Sequence, residues 1–159
     1  LISQQQQQQP TASGDGTTPL HMACFGGHLH VVQYLMATNT TVNANTKNDW
    51  GCGTSHWLGM TIQTNASKIH ALAKYLYTDN PVAFCETQHQ GHSILHKAAQ
   101  KQNTHVIDWL IQHLTQDEKN KIGLPDVGGN KPSDIFCCSC TSNNNNKNSN
   151  NNNNSKNKE

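Results

Sequence analysis

The run Thr18-Pro19-Leu20-His21-Met22-Ala23 is answered later in the chain by Ser93-Ile94-Leu95-His96-Lys97-Ala98, and this self-similarity settles the architecture before any single element is assigned. Working outward, a Gly stands five residues before a His three times: Gly16 and His21, Gly51 and His56, Gly91 and His96. A worn fourth copy pairs Gly129 with Asp134. The glycines are spaced by 35, 40 and 38 residues. Further on, Val31-Val32-Gln33-Tyr34-Leu35 is answered by Val106-Ile107-Asp108-Trp109-Leu110, and Leu72-Ala73-Lys74-Tyr75-Leu76 supplies the middle copy. That alignment predicts core duty for Tyr34, Tyr75 and Trp109 in one recurring slot, and for Leu20, Leu35, Leu95 and Leu110 in two others.

Each copy reads as a pair of short amphipathic helices. Pro19 in a first turn loses no hydrogen bond, and the Thr18 hydroxyl can satisfy a free amide there. Leu20 and Ala23, then Val31, Val32 and Leu35, form two apolar stripes separated by the Gly26-Gly27 break. Such a hairpin cannot bury both stripes alone. Stacking on a neighbour does so, and three copies lie near the lower limit for stability. The middle copy is longer: His56 to Leu76 spans 20 residues, against 14 from His21 to Leu35 and from His96 to Leu110. Asn and Thr are weak helix formers, so the surplus around Thr61 to Ala66 predicts a long loop, with Ser67 capping a second helix from Lys68.

The pattern Gly16-x-Thr18-Pro19-Leu20-His21-x-Ala23, then Gly27-His28-Leu29, Val31-Val32 and Val42-Asn43-Ala44, resembles the ankyrin repeat almost letter for letter. Gly91, Leu95, His96 and Ala98 carry it in the third copy, Gly51 and His56 in an eroded second, and Asn130 to Asp134 in a terminal half-repeat. The resemblance implies an all-α solenoid over residues 14 to 136, with repeats at about 14–48, 49–88 and 89–126 and a half-repeat at 127–136. It also implies that His21, His56 and His96 are structural, each bonded to neighbouring backbone at a helix start.

Outside that region the composition changes abruptly. Residues 1–13 hold Gln4 to Gln9, and residues 137–159 pass from Cys137-Cys138-Ser139-Cys140 into an Asn, Ser and Lys tract. Both tails are expected to be low-complexity and disordered, because they bury little apolar surface. The chain starts with Leu, which reads as a fragment of a longer protein with repeats upstream.

A net charge of +1 supplies no field for steering toward nucleic acid or an anionic membrane. All 11 basic residues are Lys, so the guanidinium fork that reads guanine or phosphate is missing altogether. No run of about 18 apolar residues exists to span a bilayer, and no secretory leader opens the sequence. An intracellular chain, cytoplasmic or nuclear, with reduced thiols is the expectation.

Chemistry-bearing clusters are few. Cys85, His89, His92 and His96 have spacings compatible with zinc, but the repeat register gives His96 to the backbone. No nucleophile elbow, phosphate-cradling loop or zinc-protease motif occurs. The expectation is therefore no catalytic residue, no metal, no cofactor and no small-molecule substrate.

What remains is a surface for another protein. The family's variable slots, carried onto this register, select Phe25 in copy one, Asp49, Trp50, Cys52, Met60 and Thr61 in copy two, and His89, Gln90, His92, Gln100 and Lys101 in copy three. Trp50 stands just before Gly51, either as an exposed anchor or tucked down by the local register. The rival readings are a regulatory segment of a larger enzyme or channel, and a metal-dependent binding module built on Cys85, His89 and His92.

Overall fold

A computed structural model describes residues 14–38 and 45–136. Val42-Asn43-Ala44, both tails and the 137–140 cysteine cluster lie outside the described residues. The elements are α1 (Pro19–Gly26), α2 (Leu29–Thr38), α3 (Thr54–Gly59), α4 (Ala66–Asp79), a 3-10 helix (Pro81–Cys85), α5 (Ile94–Gln100), α6 (Thr104–His113) and α7 (Gln116–Ile122). A last helical turn covers 132–136. Among the described residues there is no strand. The chain is an all-α stack of helical hairpins, α1–α2, α3–α4 and α5–α6.

Each first helix starts on the same local chemistry. The Thr18 hydroxyl accepts from the His21 amide, while His21 Nδ1 accepts from the Thr18 amide at 3.0 Å. Ser93 and His96 repeat this reciprocal cap. In the middle repeat Gly53 has no side chain to offer, yet its amide still donates to His56 Nδ1 at 3.3 Å. The amide of the N-cap residue is thereby satisfied in all three repeats, and the histidine amide of the first turn by a hydroxyl in the first and third.

Between repeats the chain makes a tight hairpin whose tip needs a left-handed residue. Gly51 and Gly91 adopt φ 77° and 81°, and a Cβ on Gly91 would meet the Val127 amide nitrogen at 2.9 Å. Only glycine takes both the dihedral and the close approach without strain. The tips then bond to one another in a ladder: the Asp49 amide donates to Asp15 O at 3.0 Å, His89 to Trp50 O at 3.1 Å, and Val127 to Gln90 O at 2.9 Å. The fourth tip, closed by Asp126 and Asn130, therefore belongs to the stack although the helix after it is one turn.

The core runs unbroken from Leu20 through Leu58, Ile69, Leu72, Ile94 and Val106 to Ile122. Its third-repeat end is aromatic. Trp109 lies 5.6 Å from the Tyr77 ring and 5.7 Å from that of Phe84, which places the preceding repeat directly over it.

Five sequence expectations change here. Leu35 and Leu95 are only partly buried, whereas Leu20 and Leu110 are closed off. Tyr34 is 66% exposed, because no described repeat precedes the first to cover it. Tyr75 is not the counterpart of Trp109. Counted from the residue before each second helix (His28, Asn65, Asn103), the seventh position is Leu35, Leu72 and Leu110, so Ala71 takes the aromatic slot in repeat two. The surplus of the middle copy is split: the loop after α3 takes part, and the rest gives α4 14 residues where α2 and α6 have 10. Asn65 caps α4 by accepting from the Lys68 amide, two residues ahead of the expected start.

α7 was not anticipated. Its sequence signal is Thr115-x-x-Glu118, a capping box in which the Thr115 hydroxyl accepts from the Glu118 amide and Glu118 accepts from Thr115. α7 stands in repeat three where the 3-10 helix stands in repeat two. A serine at the start of the first helix holds each in place, Ser55 donating to Ala83 O at 2.7 Å and Ser93 to Ile122 O at 2.6 Å.

Candidate partner-binding face

The three buried histidines set the orientation of the first helices. With Nδ1 accepting from backbone, each ring carries its proton on Nε2, and that N–H donates onward: His21 to Thr46 O at 2.9 Å, His56 to His92 O at 3.0 Å and His96 to Asn130 O at 3.2 Å. Every bond ties a helix start to the chain entering or leaving the following tip. Neutral imidazole is required for this pattern, and burial lowers all three pKa values, that of His56 to about 4.

The residue after each inward-turned histidine and the one three further on lie side by side along one flank of each first helix, about 100° and 40° round from the histidine. In α1 these are Met22, 51% exposed, and Phe25, half-buried. In the second repeat they are Trp57 and Met60, both half-buried. The Trp57 ring stacks on His21 at 5.8 Å and meets Phe25 edge-on at 5.9 Å, so one aromatic group bridges two repeats. Its indole nitrogen is buried without a hydrogen-bond partner. In α5 the row turns polar with Lys97 and Gln100, followed by exposed Lys101. Met60 and Lys101 both line an opening of about 470 Å³ between the loops of repeats two and three.

At the tips, Asp49, Trp50, His89 and Gln90 are exposed, Trp50 by 56%. His92 is held inward: its Nε2 lies 3.1 Å from Asp126 Oδ2, and its ring stacks on His96 at 5.4 Å. It clamps the third tip to the fourth.

Two of the expected surface residues are not on the surface. Cys52 is 5% exposed because the Asn48 side chain gathers its amide at 2.9 Å to close the tip, and burial pushes its thiol up. Thr61 is 6% exposed because its hydroxyl donates to Phe25 O at 2.7 Å, joining α1 to the loop after α3. Sequence reasoning in turn passed over Met22, Trp57 and Lys97. The signal for them is their common place directly after the repeated His.

The four groups spaced for zinc are dispersed in purpose: Cys85 ends the 3-10 helix, His89 lies exposed at a tip, and His92 and His96 are bonded as above. Among the described residues no group of three His, Cys, Asp or Glu side chains is arranged to hold a metal ion. No helix among them is long and apolar enough to cross a membrane.

Residues 15–49 match the family model described as Ankyrin repeat. No curated protein matches the chain. The matched stretch covers the first hairpin and its tip, so residues 15–49 form an ankyrin repeat, and the same buried histidine and left-handed tip glycine return with His56 and His96 in the two hairpins that follow.

Proposed function

We propose that the chain is a non-catalytic protein-binding module that holds a partner against its first helices and hairpin tips. The observation that carries this reading is the row Met22, Phe25, Trp57 and Met60. These are large apolar groups on the first helices of two consecutive repeats, Met22 exposed and the others half-buried, with Trp57 packed at the edge of the core and joined to Phe25 by a ring contact. A rigid apolar centre with Asp49, Trp50, His89, Gln90, Gln100 and Lys101 around it has the composition of a protein interface, in which aromatic anchors dominate and charged groups form the rim. Ordering costs are small for such a surface, since its backbone is already fixed by the tip ladder.

Trp50 and Met22 test it cleanly, because both are more than half exposed and neither supports the core. A partner captured by the 159-residue chain should be lost, by roughly thirtyfold or more in Kd, on Trp50→Ala or Met22→Asp, with melting curves unchanged. Retention of the same partner by both variants at unchanged affinity would remove this face from consideration. Replacing Lys101 at the rim should instead alter the association rate and its salt dependence.

A further inference from the structure

The two ends of the stack expose opposite halves of one slot. By position in the second helix, Ile107 of α6 corresponds to Val32 and Ile69, and Ile111 corresponds to Met36 and Ala73. Val32, Ile69 and Ala73 are fully buried, since another repeat follows each of them. Beyond α6 and α7, the turn at 132–136 is all that stands, among the described residues, in the place of a following repeat. Ile111 is left 58% exposed, and Leu95, Ile107, Ile111 and Phe136 line an apolar groove of about 380 Å³. At the other end Tyr34 occupies the slot of Trp109. Trp109 is covered by Tyr77 and Phe84 of the repeat before it and is 2% exposed, whereas Tyr34 is 66% and Val31, one turn earlier, 46% exposed.

We propose that Tyr34 and Val31 of a second copy dock in the groove formed by Leu95, Ile107, Ile111 and Phe136, so that chains associate head to tail. The groove continues the interface by which each repeat of this chain covers the one before it, and its occupant at the two earlier positions is in both cases a second helix with its apolar side inward. α2 of another copy offers that helix, with an aromatic ring in the slot where the fold elsewhere seats Trp109. Residues 141–159 do not: they contain no apolar side chain. The contact is heterologous, each copy giving one face and receiving on the other, so it adds copies in an open row. The groove is small beside a standard interface, which makes the association weak and concentration-dependent.

Sedimentation of the 159-residue chain from about 5 to 500 μM reads this directly through mass action. The weight-average mass should rise at least to that of a dimer across the series. Tyr34→Asp and Ile111→Asp, both at exposed positions, should each stay monomeric at the top concentration with unchanged circular dichroism and melting. An equimolar mixture of the two should recover dimers and stop there, since each variant keeps one intact face and the mixture has a single productive pairing. A wild-type chain that remains monomeric throughout overturns the proposal, as does association unaffected by either variant. Loss with Ile111→Asp alone also overturns it, because the groove would then be filled by something other than α2 of a second copy.

Discussion

His56 shows at the scale of one residue how the motif ties stability to protonation. Its Nε2 proton is engaged with the His92 carbonyl and its Nδ1 lone pair with the Gly53 amide, so a second proton has no place without breaking the helix start. Burial is the largest cause of its lowered pKa, with Lys97, Lys47 and His92 adding like charge and the His92 carbonyl bond opposing. The folded value of about 4 lies below the ordinary 6.5. Between the two, the unfolded chain binds more protons than the folded one, so stability is complete above pH 6.5 and falls as pH drops toward 4. The full difference is worth about 3 kcal/mol. Urea midpoints at pH 7.5 and pH 5.0 check this: the midpoint should fall, with His21 and His96 pushing in the same direction. Asp126 and Glu118, whose values are lowered, contribute their own loss only nearer pH 4 and below. Equal midpoints at the two pH values would show that the imidazoles tolerate protonation in place. The histidine, its cap and the tip glycine were all legible in the sequence, because a backbone requirement repeated three times leaves a spaced signature. Met22 and Trp57 were not, since a surface side chain answers to no such requirement and varies from copy to copy.

At the scale of the element, the lengths of the middle hairpin separate what pattern can and cannot give. Asn65, rather than Ser67, carries the helix start, its side chain accepting from the Lys68 amide at 3.1 Å. Asn65→Ala should therefore cost about 1 kcal/mol, the usual worth of an N-cap, while Ser67→Ala should stay within about 0.5 kcal/mol as an exposed change inside the first turn. Thermal melts of the two variants decide it, and the reverse order would restore the later start. The total length excess of the repeat could be counted from the sequence. Its division between a loop and an added turn of α4 could not, because Leu72 and Leu76 are both buried and both satisfy the same apolar stripe. α7 went unread for a related reason. With six of its seven residues polar and only Ile122 buried, it has no stripe, and it is held by its Thr115–Glu118 cap and by the Tyr77 hydroxyl, which donates to Glu118 at 2.9 Å.

At the scale of the whole molecule the repeats share one core, so damage at one end should be felt at the other. Trp109 and Tyr34 occupy the same slot in the third and first repeats, yet Trp109 is enclosed by Tyr77, Phe84 and a His113 ring stacked at 4.7 Å, while Tyr34 faces outward. Trp109→Ala removes the contacts joining α4, the 3-10 helix and α6 and leaves a large cavity, at a cost of about 3–5 kcal/mol. Tyr34→Ala at the exposed end should stay within about 0.5 kcal/mol in a dilute, unassociated sample. A domain of this size holds on the order of 5–15 kcal/mol in all, so the first change removes a large share of its stability. In a stack this short, each repeat draws most of its burial from its neighbours, and the loss cannot remain local. Hydrogen exchange followed by segment is the measurement. In the Trp109→Ala chain, amides of α1 and α3 should lose protection in the same proportion as those of α5 and α6, in a single transition. Protection that survives around Leu20 and Val32 while α6 opens would mean that the first two repeats fold as a unit of their own.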